Sequence, residues 1–170
     1  KRTRLTAAAV NTYHDLPVHI HPGLIEIHGG YMEVRPWSEF PLTHPEDARL
    51  WNMEPHLFIP EGGEAMADVY DRIWKSVTEI AAVEAGHTVA VASHGCAIRN
   101  LLCRAKGWPI SRLAEEPWCD NTGVSLLEFE NGGCRLVFEN DISHLDPELS
   151  TLAGQKWWRK ENQAALNFNE

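Results

Sequence analysis

Residues 87–102, His87-Thr88-Val89-Ala90-Val91-Ala92-Ser93-His94-Gly95-Cys96-Ala97-Ile98-Arg99-Asn100-Leu101-Leu102, constrain this chain more than any other stretch. Thr88 to Ala92 is a short apolar, β-branched run, the pattern of a strand buried on both faces. Ser93, His94 and Gly95 make a small-residue turn, and Ala97, Ile98, Leu101, Leu102 and Ala105 then recur at helical spacing. A strand handing over to a helix leaves free N–H groups at the helix start, and those groups attract anions. It also puts His94 at the carboxyl end of a parallel strand, where open α/β sheets hold their ligands. The stretch predicts an anion-binding corner with a titratable imidazole in it.

The partner of such a corner is bounded by charge. The chain of 170 residues carries a net charge of -9, without a run of Lys or Arg. That excludes a general nucleic-acid or anionic-membrane surface, which needs a basic footprint. It leaves room for phosphate, because a few cations focused in one pocket suffice. No stretch approaches the roughly 20 apolar residues of a membrane span, and no signal-peptide pattern opens the chain. Length and an apolar fraction of 44% fit one domain with a single core. Cys96, Cys103, Cys119 and Cys134 form no C-x-x-C pair, which predicts reduced thiols and a cytoplasmic protein. Of nine histidines only His19 and His21 are a close pair on one strand face, so no metal site is expected.

Around the corner the pattern predicts helices, turns and one hairpin. Lys1 to Leu16 reads as a helix from its first residue, with Leu5, Ala8, Ala9 and Thr12 on one face. It begins without a cap or an initiator Met, so the chain is expected to be a segment of something longer. Val18 to His21 alternates as a short strand, and Leu24 to Gly30 is a loop with Glu26 between apolar residues. Tyr31 to Pro60 turns to Pro, Trp and acidic residues, an irregular insertion with one short helix near Glu46 to Asn52. Glu64 to Ala85 is a long amphipathic helix striped by Met66, Val69, Ile73, Val77 and Ile80 or Ala81, and Gly86 stops it. Asn131-Gly132-Gly133 joins strands Gly123–Glu130 and Cys134–Glu139, and a last amphipathic segment runs from Pro147 to Leu166.

Four features have complementary chemistry: Arg2, Glu26, Glu64 after its glycines, and Ser93-His94-Gly95. A transferring phosphoryl group needs fixed positive charge and N–H donors on its oxygens, and a carboxyl group to protonate the leaving oxygen. Singly, each residue reads as ordinary. Arg2 is then a solvated helix residue, Glu26 a loop tip, and His94 a satisfied buried histidine. Glu64 becomes a first-turn acid favoured by about 0.3–1 kcal/mol from the helix dipole. Only the combination favours a site.

The same residues resemble the histidine phosphatase superfamily, the phosphoglycerate-mutase-like branch with an Arg-His-Gly motif, over nearly the whole chain. Lys1-Arg2-Thr3-Arg4-Leu5-Thr6-Ala7 is similar to its Ser-x-Leu-x-Arg-(Ala/Thr)-x-x-Thr-Ala helix start. Leu24 to Glu33 is similar to Leu-x-Glu-x-x-Phe-Gly-x-x-Glu-Gly. Gly62-Gly63-Glu64 followed by Arg72 resembles Gly-Glu-Ser and its helix. Ser93-His94-Gly95 resembles the second histidine motif, and Asn121 to Ser125 the Asn-x-x-Val strand after it. The resemblance implies that Arg2 and His94 bind phosphate, the latter with the N–H groups of Gly95 and Cys96, and that Glu26 protonates the leaving group. It implies no metal and no other cofactor.

The departures carry expectations too. No Arg-His-Gly, the family's nucleophile motif, occurs in the sequence. That motif is expected in a first strand upstream of Lys1, making residues 1–170 a single domain that lacks its first strand or strands. His28 stands for an aromatic and Val34 for the glycine after Glu33. The moderate length between Glu26 and Glu64 leans to hydrolysis over mutase chemistry, with Trp37, Trp51 and His56 on an apolar lid. The expectation is an α/β three-layer sandwich, helices on both faces of a mostly parallel sheet, hydrolysing a small phosphorylated substrate through a phosphohistidine. A phosphoglycerate mutase and an inactive phosphate-ligand binder are the alternatives, and oligomeric state, a homodimer included, is left open.

Overall fold

The computed structural model describes residues 1–155. Two helices form its centre. Helix α4 (Met66–Val83) buries Met66, Val69, Ile73 and Val77 of the predicted stripe with Ser76 beside them, keeps Ile80 and Ala81 only half-buried, and the chain leaves it through Gly86 at φ +83°. Helix α5 (Gly95–Ala105) buries Cys96, Ala97 and Arg99 to Cys103, so it is enclosed nearly all round. Ile73 and Val77 of α4 meet Ala97 and Leu101 of α5, with Leu24, Trp74, Leu127 and Phe129 closing around them.

A second cluster joins Ile27, Phe40, Ala48, Trp51, Phe58, Met66, Val69, Cys96, Cys103 and Leu113. Much of it comes from the Tyr31–Pro60 insertion, which holds helices α2 (Phe40–Thr43) and α3 (Pro45–Met53) and three short 3-10 turns. The insertion was expected to be irregular with one helix. It is ordered because its aromatic rings bury area that a solvated loop cannot. Trp51 packs edge-on to Phe58 with centroids 5.1 Å apart and stacks on Trp118 at 6.1 Å.

The sheet differs from expectation. Among the described residues it has two antiparallel strands, β1 (Val124–Glu130) and β2 (Gly133–Asp141), joined at Asn131 (φ +52°) and Gly132 (φ +78°). Two positive φ angles in succession match the right-handed twist of the strands, which is why Asn-Gly marks such hairpins. Neither Thr88–Ala92 nor Val18–His21 is a strand, and no parallel pairing is seen in the described residues. Val89 and Val91 are 43% and 42% exposed, so the run expected to be buried has an open flank. Apolar alternation selects extended backbone, but a ladder needs a neighbour to bond with.

Helix α1 (Arg2–Val10) also departs from the pattern. It ends six residues before Leu16 and buries no side chain. The Asn11 side chain explains the stop: its Nδ2 donates to the Leu16 carbonyl at 2.7 Å and its Oδ1 accepts the Leu16 N–H at 2.9 Å, closing a turn. At the other end, the expected Pro147–Leu166 segment is represented by a 3-10 turn and α6 (Thr151–Gly154); its later residues lie outside those described.

Candidate active site

The corner begins at His94, which holds the N-cap position of α5 with extended backbone (φ -129°, ψ 163°) and makes no side-chain cap. The free N–H groups of that helix start are instead met from far away in sequence. Glu26 Oε2 accepts the Cys96 N–H and Oε1 the Ala97 N–H, both at 3.1 Å, and Oε1 also accepts the Ile27 N–H at 3.0 Å. The Cys96 N–H was expected to serve phosphate directly. A carboxylate holds it instead, because the helix start favours whichever anion the fold delivers.

Delivery depends on a loop without a ladder of its own, Gly23 to His28. Ser93 Oγ donates to the Leu24 carbonyl at 2.8 Å, tying the loop to the corner. Gly23 lies against α4, where a Cβ would fall 1.8 Å from Ser76 Oγ. Arg72 of α4 donates to the carbonyls of Gly23 (3.0 Å), Ile25 (2.8 Å) and Glu26 (3.1 Å). Its other N–H groups form a bidentate pair with Glu64 at 2.5 and 2.9 Å. Glu64 also pairs with the backbone of His28, donating its N–H to the carbonyl at 2.8 Å and accepting the N–H at 3.4 Å. Burial works against charge on Glu64, but Arg72 outweighs it and holds the carboxyl below its usual range. Glu64 therefore clamps the loop and does not join Glu26 and His94 in the corner, as its charge alone had suggested.

His94 is half-buried. Burial is the main influence on its ring and pushes the pKa below the usual histidine value; Glu26 opposes that shift and the charge of Arg2 reinforces it. Arg2, Glu26 and His94 thus share one electrostatic neighbourhood. Arg2 forms no ion pair with any described residue, whereas Arg49, Arg72, Arg104, Lys106, Arg112 and Arg135 all do. Arg2 itself is exposed on α1, which buries no side chain, so its link to His94 is electrostatic and no contact joins the two. Cys96, whose thiol shares the helix start, is 4% exposed and burial pushes its pKa far up, so it is no nucleophile.

The departures have local consequences. Val34 has φ +61° and stands fully in solvent, so a β-branched residue occupies a left-handed position that glycine would take without strain. His28 Nδ1 accepts the Gly30 N–H at 3.3 Å and braces the turn behind Glu26. On the expected lid, Trp51 is 9% exposed and belongs to the core, while Trp37 remains 48% exposed. His56 is half-buried, and its Nδ1 is enclosed without a hydrogen-bond partner among the described residues. No group of three or more His, Cys, Asp or Glu among the described residues is arranged to hold a metal ion.

Sequence reasoning missed the weight of Arg72. The signal was present: a charged residue three positions after Val69 and four before Ser76, on the face that α4 buries. It also missed Trp118, whose ring would lie 3.7 Å from a Cβ at Gly95 and carries the Arg99 guanidinium at 4.6 Å. That indole links the insertion's aromatic stack to the helix start.

Residues 1–142 match the histidine phosphatase superfamily (branch 1). The chain belongs to this superfamily. It is 33% identical over 148 residues to phosphoserine phosphatase 1 of Hydrogenobacter thermophilus, covering 85% of this chain and 68% of that protein. It is 30% identical over 125 residues to phosphoglycerate mutase-like protein 4 of Arabidopsis thaliana, covering 72% of this chain and 53% of the relative. Among solved structures, YhfR of Bacillus stearothermophilus superposes with a TM-score of 0.80 at 29% identity, over 85% of this chain and 72% of that one. The superfamily's α/β fold applies, the relatives' names support a hydrolase, and no helix among the described residues is long and apolar enough to cross a membrane.

Proposed function

We propose that the chain hydrolyses a small phosphate monoester, with Arg2 and His94 holding the phosphoryl oxygens and Glu26 moving the protons. The observation that carries this reading is the Glu26 carboxylate at the start of α5, two residues beyond His94, in the field of unpaired Arg2. A phosphoryl group entering the corner competes for the Cys96 and Ala97 N–H groups and frees the carboxyl to turn toward the leaving oxygen.

The reading takes the attacking imidazole from an Arg-His-Gly strand supplied from outside these 170 residues and paired along Thr88–Ala92. That strand would complete a mostly parallel sheet and the three-layer sandwich; the exposed flank at Val89 and Val91 supports the placement. The imidazole nitrogen bonds to phosphorus as the P–O bond to the leaving group breaks, and Glu26 protonates that oxygen. Glu26 then takes a proton from water. The hydroxide attacks phosphorus, the P–N bond breaks and inorganic phosphate leaves. No step calls for a metal ion.

The name of the Hydrogenobacter relative makes phosphoserine the first ester to test, beside 3-phosphoglycerate and p-nitrophenyl phosphate. Phosphorus NMR of the full-length protein separates the outcomes: free phosphate that accumulates with or without chelator supports hydrolysis, and isomerised phosphoglycerate supports a mutase. Full turnover by His94→Ala overturns the site assignment.

A further inference from the structure

Arg72 spends every donor it has. Nε bonds Glu64 Oε1, Nη1 bonds the carbonyls of Gly23 and Ile25, and Nη2 bonds the Glu26 carbonyl and Glu64 Oε2. A guanidinium carries five N–H groups, so none is left for substrate. Its side chain is 21% exposed, while the helix neighbours Asp71, Lys75 and Glu79 are 74%, 77% and 54% exposed. An arginine that gives its donors to three carbonyls of one irregular loop and to the Glu64 carboxylate anchors that loop as a strand ladder would elsewhere.

We infer that Arg72 is the positioning residue for Glu26: by fixing the backbone from Gly23 to Glu26 it sets where the carboxyl meets the start of α5. The inference rests on the assignment of Glu26 as proton donor. Arg72 does not touch that carboxyl group. It holds the Glu26 carbonyl, and with it the direction of the Cα–Cβ bond. Glu64 orients the guanidinium from one side and anchors His28 beyond, so the loop is gripped on both flanks of Glu26. Lysine cannot replace this arrangement. Its ammonium is a point charge with three donors and no planar fork.

The test compares Arg72→Lys, Glu64→Gln and Glu26→Gln in the full-length protein, with Arg104→Gln, which breaks the exposed Asp71 pair across the same two helices, as control. Arg72→Lys is expected to lower kcat by about 10- to 100-fold with KM changed less than about threefold, the signature of a displaced reacting group. Amide exchange at Cys96 and Ala97 is expected to quicken while Leu101 and Leu102, deeper in α5, stay protected. A general loss of stability moves all four amides together and overturns the inference. Arg72→Lys at the parent rate with unchanged exchange overturns it as well. If that variant does not fold, Glu64→Gln is read the same way, with a smaller expected loss. Glu26→Gln distinguishes the two levels: if it turns over at the parent rate, the proton-donor assignment falls and takes this inference with it. A slow Glu26→Gln beside a fully active Arg72→Lys removes the positioning role alone.

Discussion

The Glu26 carboxylate accepts the backbone N–H of Cys96 at 3.1 Å, across 70 positions of sequence. One side chain thereby caps α5, ties the Gly23–His28 loop to that helix, and holds an anion's place beside His94. Stability and the proposed chemistry meet in the same carboxylate, so changes there are expected to register in both.

Glu26→Ala removes a helix cap together with the proposed acid. Unfolding by urea should show a loss of about 1–2 kcal/mol, the upper part of the range for caps. Turnover should fall by about 10²- to 10⁴-fold, the share that a positioned acid–base group contributes. A variant equally stable and equally active would leave the carboxylate without either role.

Val34→Gly should stabilise the protein. The valine pays for a left-handed φ of +61° and, fully exposed, loses no packing when truncated. After the extra chain entropy of glycine, a net gain of about 1 kcal/mol is expected, seen as a higher Tm. A lower Tm would mean that Val34 is not strained.

Phosphate binding should take up a proton. Burial holds the His94 pKa below the ordinary histidine value in the free chain, and a bound dianion draws it upward. Between the free and bound values the complex binds more protons than the free protein, so affinity should fall as pH rises through that window. Titration calorimetry in two buffers of different ionisation enthalpy reads the uptake directly, and His94→Asn should abolish it. The same depressed pKa makes the neutral ring the folded form, so its contribution to stability is present above about pH 6.5 and is lost as pH falls through the lower folded value.

Lys106→Met should be among the most destabilising single changes. Lys106 bridges Glu116, whose side chain is 1% exposed, at 2.9 Å and Glu139 at 2.6 Å. Glu116 Oε2 already lacks a partner among the described residues, and burial raises that carboxyl's pKa against the pull of Lys106. Removing the lysine should cost about 3–5 kcal/mol, the penalty for breaking a buried pair from one side. The double variant Lys106→Met/Glu116→Leu should recover much of that loss, as measured by urea midpoints.

Local pattern was legible where local forces decide. The stripe of α4 from Met66 to Val77 and the Asn131-Gly132 turn formed as read, because helix periodicity and positive φ are properties of a few adjacent residues. Thr88–Ala92 departs from its pattern for the opposite reason: β-branched residues favour an extended chain, but a strand exists only with a hydrogen-bonded neighbour, and none pairs with it among the described residues. The insertion was judged a lid from its Trp and Pro content, yet Phe40, Trp51 and Phe58 are buried because large rings gain most from burial wherever they can reach a core.

By itself the sequence determined the stripe of α4, the start of α5, the hairpin and the kinds of group proposed for phosphate chemistry: Arg2, Glu26 and His94. Only the tertiary structure decided that Glu26 meets the start of α5, that Glu64 serves Arg72 and not the corner, and that Arg72 holds the loop bearing Glu26. The reason is physical. Helices and turns are selected by interactions over three or four residues, whereas the partner of a free N–H is whichever acceptor the packed chain brings within about 3 Å. That choice spans dozens of residues, and no local pattern encodes it.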